Sequence, residues 1–196
     1  MTGNTDEKQN HGIKLFAGIG SRTLPEQASA RIEKIANFLA QKGVKLSSGG
    51  SMGADAIWAK PFRPEGRRIF LPWNGFNHWV LGPHVHVLTE EQYTLCKNVC
   101  KLVVPGLLKK PAASQKLLVR NVAIILGANT DEPVDFVMSW TPNGTDSGGT
   151  GMAMAVARGY GIPVYNLGNM DKEMYDSLNT IGELLSERSE AANAPA

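Results

Sequence analysis

Residues 135–167 read DFVMSWTPNGTDSGGTGMAMAVARGYGIPVYNL in one-letter code. The apolar run at 136–140 predicts a buried strand, and the run at 162–167 predicts a second one. Between them, a polar, glycine-rich loop leads into a helix of small residues at 151–158. Two strands joined through such a helix are parallel neighbours with a right-handed crossover. The stretch therefore predicts an α/β fold built on a parallel sheet.

A glycine-rich loop lies where the first of these strands would end and the helix would begin. It consists of Gly148, Gly149, Thr150 and Gly151. Backbone N–H groups in the first turn of a helix have no partner within the helix, and the helix dipole adds partial positive charge. Since glycine lets an anion approach the backbone closely, the loop favours a phosphate ligand. The alternative is a tight turn and nothing more, because glycine-rich turns are common.

Two further loops of small residues follow predicted strands. A strand at 14–19 runs into the residues GSR at 20–22, and a strand at 44–47 runs into the residues SGGSMGAD at 48–55. In an open parallel sheet such loops gather at the carboxyl edge, where ligands bind. Phosphate or nucleotide contacts are therefore predicted for Gly18, Gly20, Ser21, Arg22, Ser48, Gly49, Gly50, Gly53, Ala54, Gly148, Gly149, Thr150 and Gly151.

The composition is that of an ordinary globular protein. The chain has 196 residues, of which 42% are apolar and 19% are charged, with a formal net charge of +2. This length is enough for one domain with a substantial core. The small net charge argues against a general nucleic-acid-binding surface, which is usually strongly basic, although it leaves room for a local basic patch. We therefore expect nucleic acid to be an unlikely partner.

The chain divides into three parts by pattern. Residues 1–12 are polar and predict a disordered leader rather than a signal peptide, residues 13–185 predict the domain, and residues 186–196 lack periodicity and predict a disordered tail. No apolar run approaches the roughly 20 residues that a membrane-spanning helix needs. We therefore expect no membrane partner and a cytoplasmic location.

The Cys and His residues offer no convincing metal site. Cys96 and Cys100 lie four positions apart, which suits one face of a helix, and we expect them to be reduced and buried. His84 and His86 alternate as they would on a strand, but no cysteine or carboxylate nearby completes a ligand set. Neither a metal nor a cofactor is predicted.

Helix starts and ends are predicted from local signals. Thr23 and Glu26 have the spacing of a capping box for a first long helix, and Gly43 would end it. Ser114 would cap a later helix, and a final helix would begin near Asp171. A helix is expected at about 90–100, while the rest of 79–113 carries no clear pattern.

Three motifs together resemble those of the SLOG superfamily. They are GIGSR at 18–22, SGGSMGAD at 48–55, and GGTG at 148–151 followed by IPV at 162–164. That superfamily joins DNA-processing protein A (DprA/Smf) and the cytokinin-activating LOG phosphoribohydrolases. The resemblance covers 13–167 and is nearest to uncharacterised, often phage-encoded members with a loop like WNGFN at 73–77. It implies a Rossmann-like fold that binds nucleotides or nucleotide-derived ligands, and a dimer or larger homo-oligomer.

The resemblance also implies site residues. In LOG enzymes an Arg on the helix before the core strand and a Glu after the glycine motif complete the site. Arg120 matches that Arg. Aligning on GGTG puts Met154 or Ala155 where the Glu stands, so LOG-like chemistry would need another carboxylate here.

Cleavage of an N-glycosidic bond needs a carboxylate near the anomeric carbon. Asp146, just before the third loop, and Asp55, in the second, are the candidate catalytic carboxylates; a turn or cap role is the alternative for each. Trp73 and Trp140 follow strand ends and would stack on a base, with Asn74 reading its edge, although either Trp would also suit a core.

Three functions follow, in order of preference. The first is an enzyme that hydrolyses or transfers at the N-glycosidic bond of a nucleotide or nucleoside. The second is a non-catalytic nucleotide-binding sensor or sequestering module, which the absent Glu favours. The third is single-stranded DNA binding as in DprA, against which the near-neutral charge and the lack of a Lys/Arg stripe speak.

Overall fold

The computed structural model describes residues 13–169, 176, 178–183, 185 and 186. Within them six strands form one sheet: β1 (Leu15–Gly20), β2 (Lys45–Ser48), β3 (Arg67–Leu71), β4 (Val85–Val87), β5 (Phe136–Trp140) and β6 (Val164–Asn166). Every pairing between them is parallel, and the spatial order is β4-β3-β2-β1-β5-β6. The predicted α/β class, a Rossmann-like open parallel sheet flanked by helices, is confirmed.

Helices cover both faces of the sheet. They are α1 (Glu26–Gln41), α2 (Ala54–Ala59), α3 (Glu90–Val103), α4 (Ala112–Leu126) and α5 (Gly148–Gly159). Along each strand successive side chains point to opposite faces. In β1, Phe16 packs with α1 and α2, whereas Ala17 packs with α3, α4 and α5. The sheet therefore separates two apolar cores, and the central strands are buried on both sides.

The neighbouring strands β1 and β5 are also joined at their starts. The Asp135 carboxylate accepts hydrogen bonds from the backbone N–H groups of Lys14 and Leu15, at 2.7 and 2.8 Å. β1 and β5 then pair over their whole length, from Phe16 opposite Phe136 to Gly20 opposite Trp140. The ends of both strands consequently reach the same edge of the sheet.

Two predicted helix caps are wrong. The residue before α1 is Pro25, and no side chain caps the helix, so Thr23 does not cap it. The residue before α4 is Pro111 rather than Ser114. Both prolines have extended backbone angles, and proline has no N–H group to leave unsatisfied at a helix start. These starts are fixed by backbone restriction instead of a side-chain cap.

The region from 79 to 113 contains more structure than its sequence indicates. The short strand β4 was not predicted, and α3 begins with a capping box in which the Thr89 hydroxyl accepts from the Gln92 N–H at 3.3 Å. Cys96 and Cys100 are free and buried on α3, as predicted. Burial raises the pKa of Cys96 to about 12 and that of Cys100 to about 11.

Parts of the predicted organisation fall outside the described residues. These are the leader at 1–12, the start of the final helix near Asp171 and, apart from Ser186, the tail at 186–196. Residues 178–183 are helical, and Ile181 and Leu185 pack in the same core as α1 and α2. In the part of the chain that the structure describes, no helix has both the length and the apolar character needed to cross a bilayer.

Candidate functional site

A cleft of about 860 Å³ opens at the carboxyl edge of the sheet, between the end of β1 and the start of α5. Parallel strands bring the loops that follow them to one edge, and this is where open α/β sheets bind ligands. The polar side of its lining includes Ser21, Arg22, Ser51, Asp55, Arg120, Asn121, Ser147, Gly148, Gly149 and Thr150. The first and third glycine loops therefore meet in one cavity, as the sequence predicts.

The loop after β1 is held between two other elements. Its Ser21 N–H donates to the Trp140 carbonyl at 2.9 Å, and the Ser21 carbonyl accepts from the Ala54 N–H at 3.0 Å. A Cβ added to Gly20 would lie 2.7 Å from both the Ala54 Cβ and the Trp140 carbonyl oxygen. Gly20 is thus required for close packing, while Ser21 and the exposed Arg22 are polar residues that this loop brings to the cleft.

The third loop is the first turn of α5, because the helix begins at Gly148 and not at the predicted 151. Gly148 is exposed with a φ of 61°, and no atom would contact a Cβ added there. Gly149 accepts a hydrogen bond at its carbonyl from the Asn121 side-chain amide at 2.9 Å. The N–H groups of this turn have no acceptor within the helix and lie beside the cleft. They form a suitable site for an anion.

Gly151 has a different role from its neighbours in the motif. A Cβ there would overlap the backbone of Asp146, and the Gly151 N–H is already bonded to the Ser147 carbonyl at 2.9 Å. Gly151 allows the preceding turn to pass close to the helix. It is buried and does not contribute to the lining of the cleft.

The second glycine loop lies behind the cleft wall. Gly18, Ser48, Gly49, Gly50, Gly53 and Ala54 do not line the cleft. The Gly50 carbonyl accepts from the Asn77 amide at 3.0 Å and from the Trp79 indole at 3.1 Å. Gly53 has a φ of 78°, and a Cβ on it would overlap the Arg22 backbone. Of this segment, Ser51 and Asp55 reach the cleft.

Asp55 and Arg120 are buried side chains of opposite charge in the cleft lining, near enough for each to affect the charge of the other without a direct hydrogen bond. Asp55 is 5% exposed and Arg120 is 4% exposed. The Asp55 carboxylate accepts from the Ser51 N–H at 3.2 Å, while Arg120 Nη1 donates to the carbonyls of Gly49 and, at 3.0 Å, Phe70. Both charged groups lie against Gly49, where a Cβ would overlap the guanidinium and lie 2.8 Å from Asp55 Oδ2.

Burial controls the ionisation of both groups. It raises the pKa of Asp55 to about 6, opposed by the positive charge of Arg120 and by hydrogen bonds from Ser51. It lowers the pKa of Arg120 to about 10, opposed by the negative charge of Asp55. Arg120 therefore stays charged at neutral pH, and Asp55 can exchange a proton close to neutral pH.

One donor of Arg120 is left without an acceptor. Its Nε is buried, and no atom of the described residues accepts a hydrogen bond from it. Buried N–H groups are nearly always satisfied, and an orphan at a cleft calls for a ligand or water. Nε itself is closed off from solvent, so a ligand in the cleft would meet the guanidinium of Arg120 at its other atoms.

Asp146 lies outside the cleft lining and forms an ion pair with Arg158. Its carboxylate accepts hydrogen bonds from both Nη atoms of Arg158, with 3.3 Å between Nη2 and Oδ1. Both side chains are about half exposed. Asp146 is not part of the cleft lining. The two candidate carboxylates are therefore in different environments, one buried in the cleft and one in a solvated ion pair.

The predicted base pocket is divided. Trp73 and Asn74 line an adjoining cavity of about 580 Å³, which shares Arg120 with the cleft. Trp73 packs edge to face on Phe76, with ring centroids 5.2 Å apart. Trp140 is 8% exposed and packs in the same core as α1 and α2, so its indole lines neither cavity.

Sequence reasoning missed Ser51, Asn121 and Ser147. Asn121 follows Arg120 on α4 and bonds the first turn of α5, a contact between residues 28 positions apart. No local pattern predicts such a pairing. Across residues 13–169 and the helical residues beyond them, no group of three or more His, Cys, Asp or Glu side chains is placed to hold a metal ion.

Comparison with known proteins yields one informative similarity. No family model and no curated protein matches the sequence. Among solved structures, the chain is similar to DNA processing protein A from Helicobacter pylori, with a TM-score of 0.56 and 16% identity over 93% of this chain and 85% of that one. That structure is described as showing a unique single-stranded DNA binding mode.

This similarity corrects one expectation. Nucleic acid was predicted to be an unlikely partner because the net charge is only +2, and the finding that a protein of this fold binds single-stranded DNA contradicts that prediction. Net charge averages over the whole surface, so it does not report on local basic regions. At 16% identity the similarity establishes the fold, and the chain has the Rossmann-like fold found in DNA processing protein A.

Proposed function

We propose that the carboxyl-edge cleft binds a nucleotide through its phosphate groups. The observation that carries this proposal is Arg120, a cleft-lining cation that is 4% exposed and that makes its hydrogen bonds to the described residues from Nη1 alone. A charged donor kept in a low-dielectric wall gives strong, directional bonds to phosphate oxygens. A structural arginine with all its donors satisfied by carbonyls would have no such capacity left.

Other groups of the cleft support the same ligand class. Arg22 lies across from the first turn of α5, and Lys110 also contributes to the lining. The cleft thus contains three cationic side chains and one carboxylate, Asp55, whose pKa is about 6. An anion is favoured by this balance and by the helix N-terminus.

The size of the cleft suits a nucleotide. Small-molecule sites usually occupy about 300–1,000 Å³, and the cleft measures about 860 Å³. A free mononucleotide and a nucleotide within single-stranded DNA offer the same phosphate chemistry. A thermal-shift panel of nucleoside mono- and diphosphates, run beside a short oligonucleotide, separates these two sources.

We expect Gly149→Val to abolish stabilisation by nucleotides. A Cβ at Gly149 meets only Asn121 Nδ2, at 3.2 Å, so the fold accommodates the substitution. The added methyl groups, however, occupy the space where a phosphate would approach the first turn of α5. The measurement is the nucleotide-induced shift in melting temperature.

Gly159→Val is the matched control for Gly149→Val. It places the same side chain on the same helix, at a position where nothing lies within contact distance of a Cβ. Its nucleotide response should equal that of the wild type. If Gly149→Val also responds normally, the phosphate site lies elsewhere.

A second candidate function is hydrolysis at the N-glycosidic bond. The observation that favours it is the pKa of about 6 for Asp55 in the cleft lining. A general acid or base works best when its pKa lies near the operating pH. Asp55 suits that role better than Asp146, which is held in an exposed ion pair with Arg158.

Under this candidate function, Asp55→Asn is expected to remove base release while leaving nucleotide affinity nearly unchanged. Asparagine keeps the shape and removes the ionisable group, so the loss falls mainly on the transition state. Asp146→Asn is the control and should turn over normally. Released base is measured by chromatography after incubation with a nucleotide panel. If the wild type is stabilised by a nucleotide yet releases no base, binding is the whole function.

Three finer expectations stay predictions: the nearest resemblance to phage-encoded members, a cytoplasmic location, and a homo-oligomer of two or more chains. The phosphate site proposed for the cleft depends on residues of β1, α2, α4 and α5 and on none of these three.

A further inference from the structure

A second cavity, of about 660 Å³, lies at the opposite, amino edge of the sheet. Its lining contains five cationic side chains, Lys14, Lys42, Lys45, Arg67 and Arg68, and one carboxylate, Glu65. We call these five cations the basic row. None of them lines the carboxyl-edge cleft, so the two cavities are separate.

The basic row concentrates the positive charge of the chain. It holds five of the 20 Lys and Arg residues and one of the 18 Asp and Glu residues. The rest of the chain, with 15 cations and 17 carboxylates, is therefore net acidic. Glu132 and Asp131 offset part of this charge at Arg68, Glu132 through a 2.9 Å pair with the largely buried guanidinium.

The order of the strands places four of these cations at or just before the starts of three neighbouring strands. Lys14 precedes β1, Lys45 opens β2, and Arg67 and Arg68 open β3. Because neighbouring strands lie about 4.8 Å apart, the charges extend about 10 Å across the sheet edge. Charges spread in this way fit a series of phosphates along a chain better than one phosphate, which is usually held by converging donors.

Both arginines of the row are held by hydrogen bonds within the protein: Arg68 donates from both Nη atoms to Glu132, and Arg67 Nη1 donates to the Phe62 carbonyl at 3.5 Å. The Nε atoms of Arg67 and Arg68 are buried, and the described residues provide no acceptor for either. The Arg67 guanidinium lies over the Trp79 ring, 5.0 Å from its centroid, which restricts its motion. Arg68 and His84 add positive potential at His86, whose pKa is lowered by burial and by both of these neighbours.

From this arrangement we infer that the basic row is a docking site for the phosphate backbone of a single-stranded nucleic acid, on the edge of the sheet opposite the nucleotide cleft. The contacts are electrostatic and directed at phosphates, so binding is independent of base sequence and sensitive to salt. This inference is separate from the proposed nucleotide site and does not require it.

The test uses the full chain and a fluorescein-labelled oligothymidylate, followed by fluorescence anisotropy between about 50 and about 200 mM salt. The variant Lys14→Glu/Lys45→Glu reverses two exposed charges of the row. Each lost phosphate contact lowers the slope of log K against log salt by about 0.7 on a single strand. The double variant should therefore lose about 1.4 of that slope.

The control is Lys34→Glu/Lys101→Glu, which makes the same change of net charge at exposed positions on α1 and α3. It should keep most of the slope and affinity. If both variants lose affinity equally, binding reflects overall charge, and the inference is overturned. It is also overturned if the wild type does not bind the oligomer, or if poly-glutamate binds with the same dependence on Lys14 and Lys45.

Two further arms separate the basic row from the cleft. Gly149→Val should lose its response to mononucleotides but bind oligothymidylate with the wild-type salt slope. A saturating mononucleotide should not displace the oligomer. If it does, or if Gly149→Val cannot bind the oligomer, the strand occupies the cleft and the inference about the row fails. If the wild type shows no thermal shift with any mononucleotide but still binds the oligomer, the proposed cleft function is refuted and the inference about the row stands.

Discussion

Arg120→Met is expected to lower the free energy of unfolding by about 2–4 kcal/mol, because it removes hydrogen bonds made by a buried charged group, each worth about 1.5–3 kcal/mol. The substitution removes the Nη1 bonds to the carbonyls of Gly49 and Phe70. It also leaves the Asp55 carboxylate, 5% exposed, without its neighbouring positive charge. Urea denaturation at neutral pH gives the free energy directly.

Arg158→Met is the matched control for this substitution. Arg158 also pairs with an aspartate, but both side chains of that pair are 49% exposed. Its loss should cost less than about 1 kcal/mol. Adding Asp55→Asn to Arg120→Met should restore part of the lost stability, because the unpaired buried charge is then removed. Equal costs for the two arginine variants would show that Arg120 has no structural role.

The stability of the protein should also depend on pH through Asp55. Its pKa rises from 3.8 to about 6 on folding, so the native state holds this proton more tightly than the unfolded state does. Between about pH 4 and about pH 6 the unfolded chain has released the proton and the native protein has not. The contribution of Asp55 to stability therefore falls by about 3 kcal/mol as the pH rises through this window and is constant above it.

The measurement is the free energy of unfolding of the wild type and of Asp55→Asn at several pH values from 3.5 to 7.5, a range of about 4 units that spans both ionisations. Other titrating groups are common to the two proteins, so the difference between the curves isolates Asp55. That difference should change steeply between about pH 4 and about pH 6. A difference that is constant across the range would mean that Asp55 ionises normally in the folded protein.

The fold could be predicted from the sequence where its signals are local. β5, a continuous apolar run, was predicted at its observed bounds, Phe136–Trp140. β4 was missed because it has three residues, all partly buried, and is held by pairing with β3 and by one bridge from Val85 to Gly82. The starts of α1 and α4 were displaced because Pro25 and Pro111 impose the extended backbone that a polar cap was expected to provide.

The sequence was enough to predict which loops form the candidate site, but not which residues of those loops contact one another. From the glycine motifs it could be predicted that the first and third loops lie at the same edge of the sheet. The role of each glycine could not, because it depends on neighbours distant in sequence. Gly18, for example, must be small because a Cβ would lie 2.7 Å from the Trp58 ring. The burial of Asp55 and the pairing of Asp146 with Arg158 depend on tertiary packing in the same way. The basic row could not be predicted from the sequence, because its residues come together only through the order of the strands in the sheet.

The central position of β1 affects how the chain can fold as it is synthesised. One neighbour of β1, the strand β2, follows it closely along the chain. The other neighbour is β5. Asp135, directly before β5, accepts a hydrogen bond from the Leu15 N–H and comes 120 positions after it. Until the ribosome has delivered that segment, one edge of an apolar strand has no partner, and unpaired edges promote aggregation. Closing so long a connection also makes the pairing slow. The nascent protein therefore passes through an extended period in which β1, buried from Phe16 to Ile19, has one edge unpaired and open to the wrong partner.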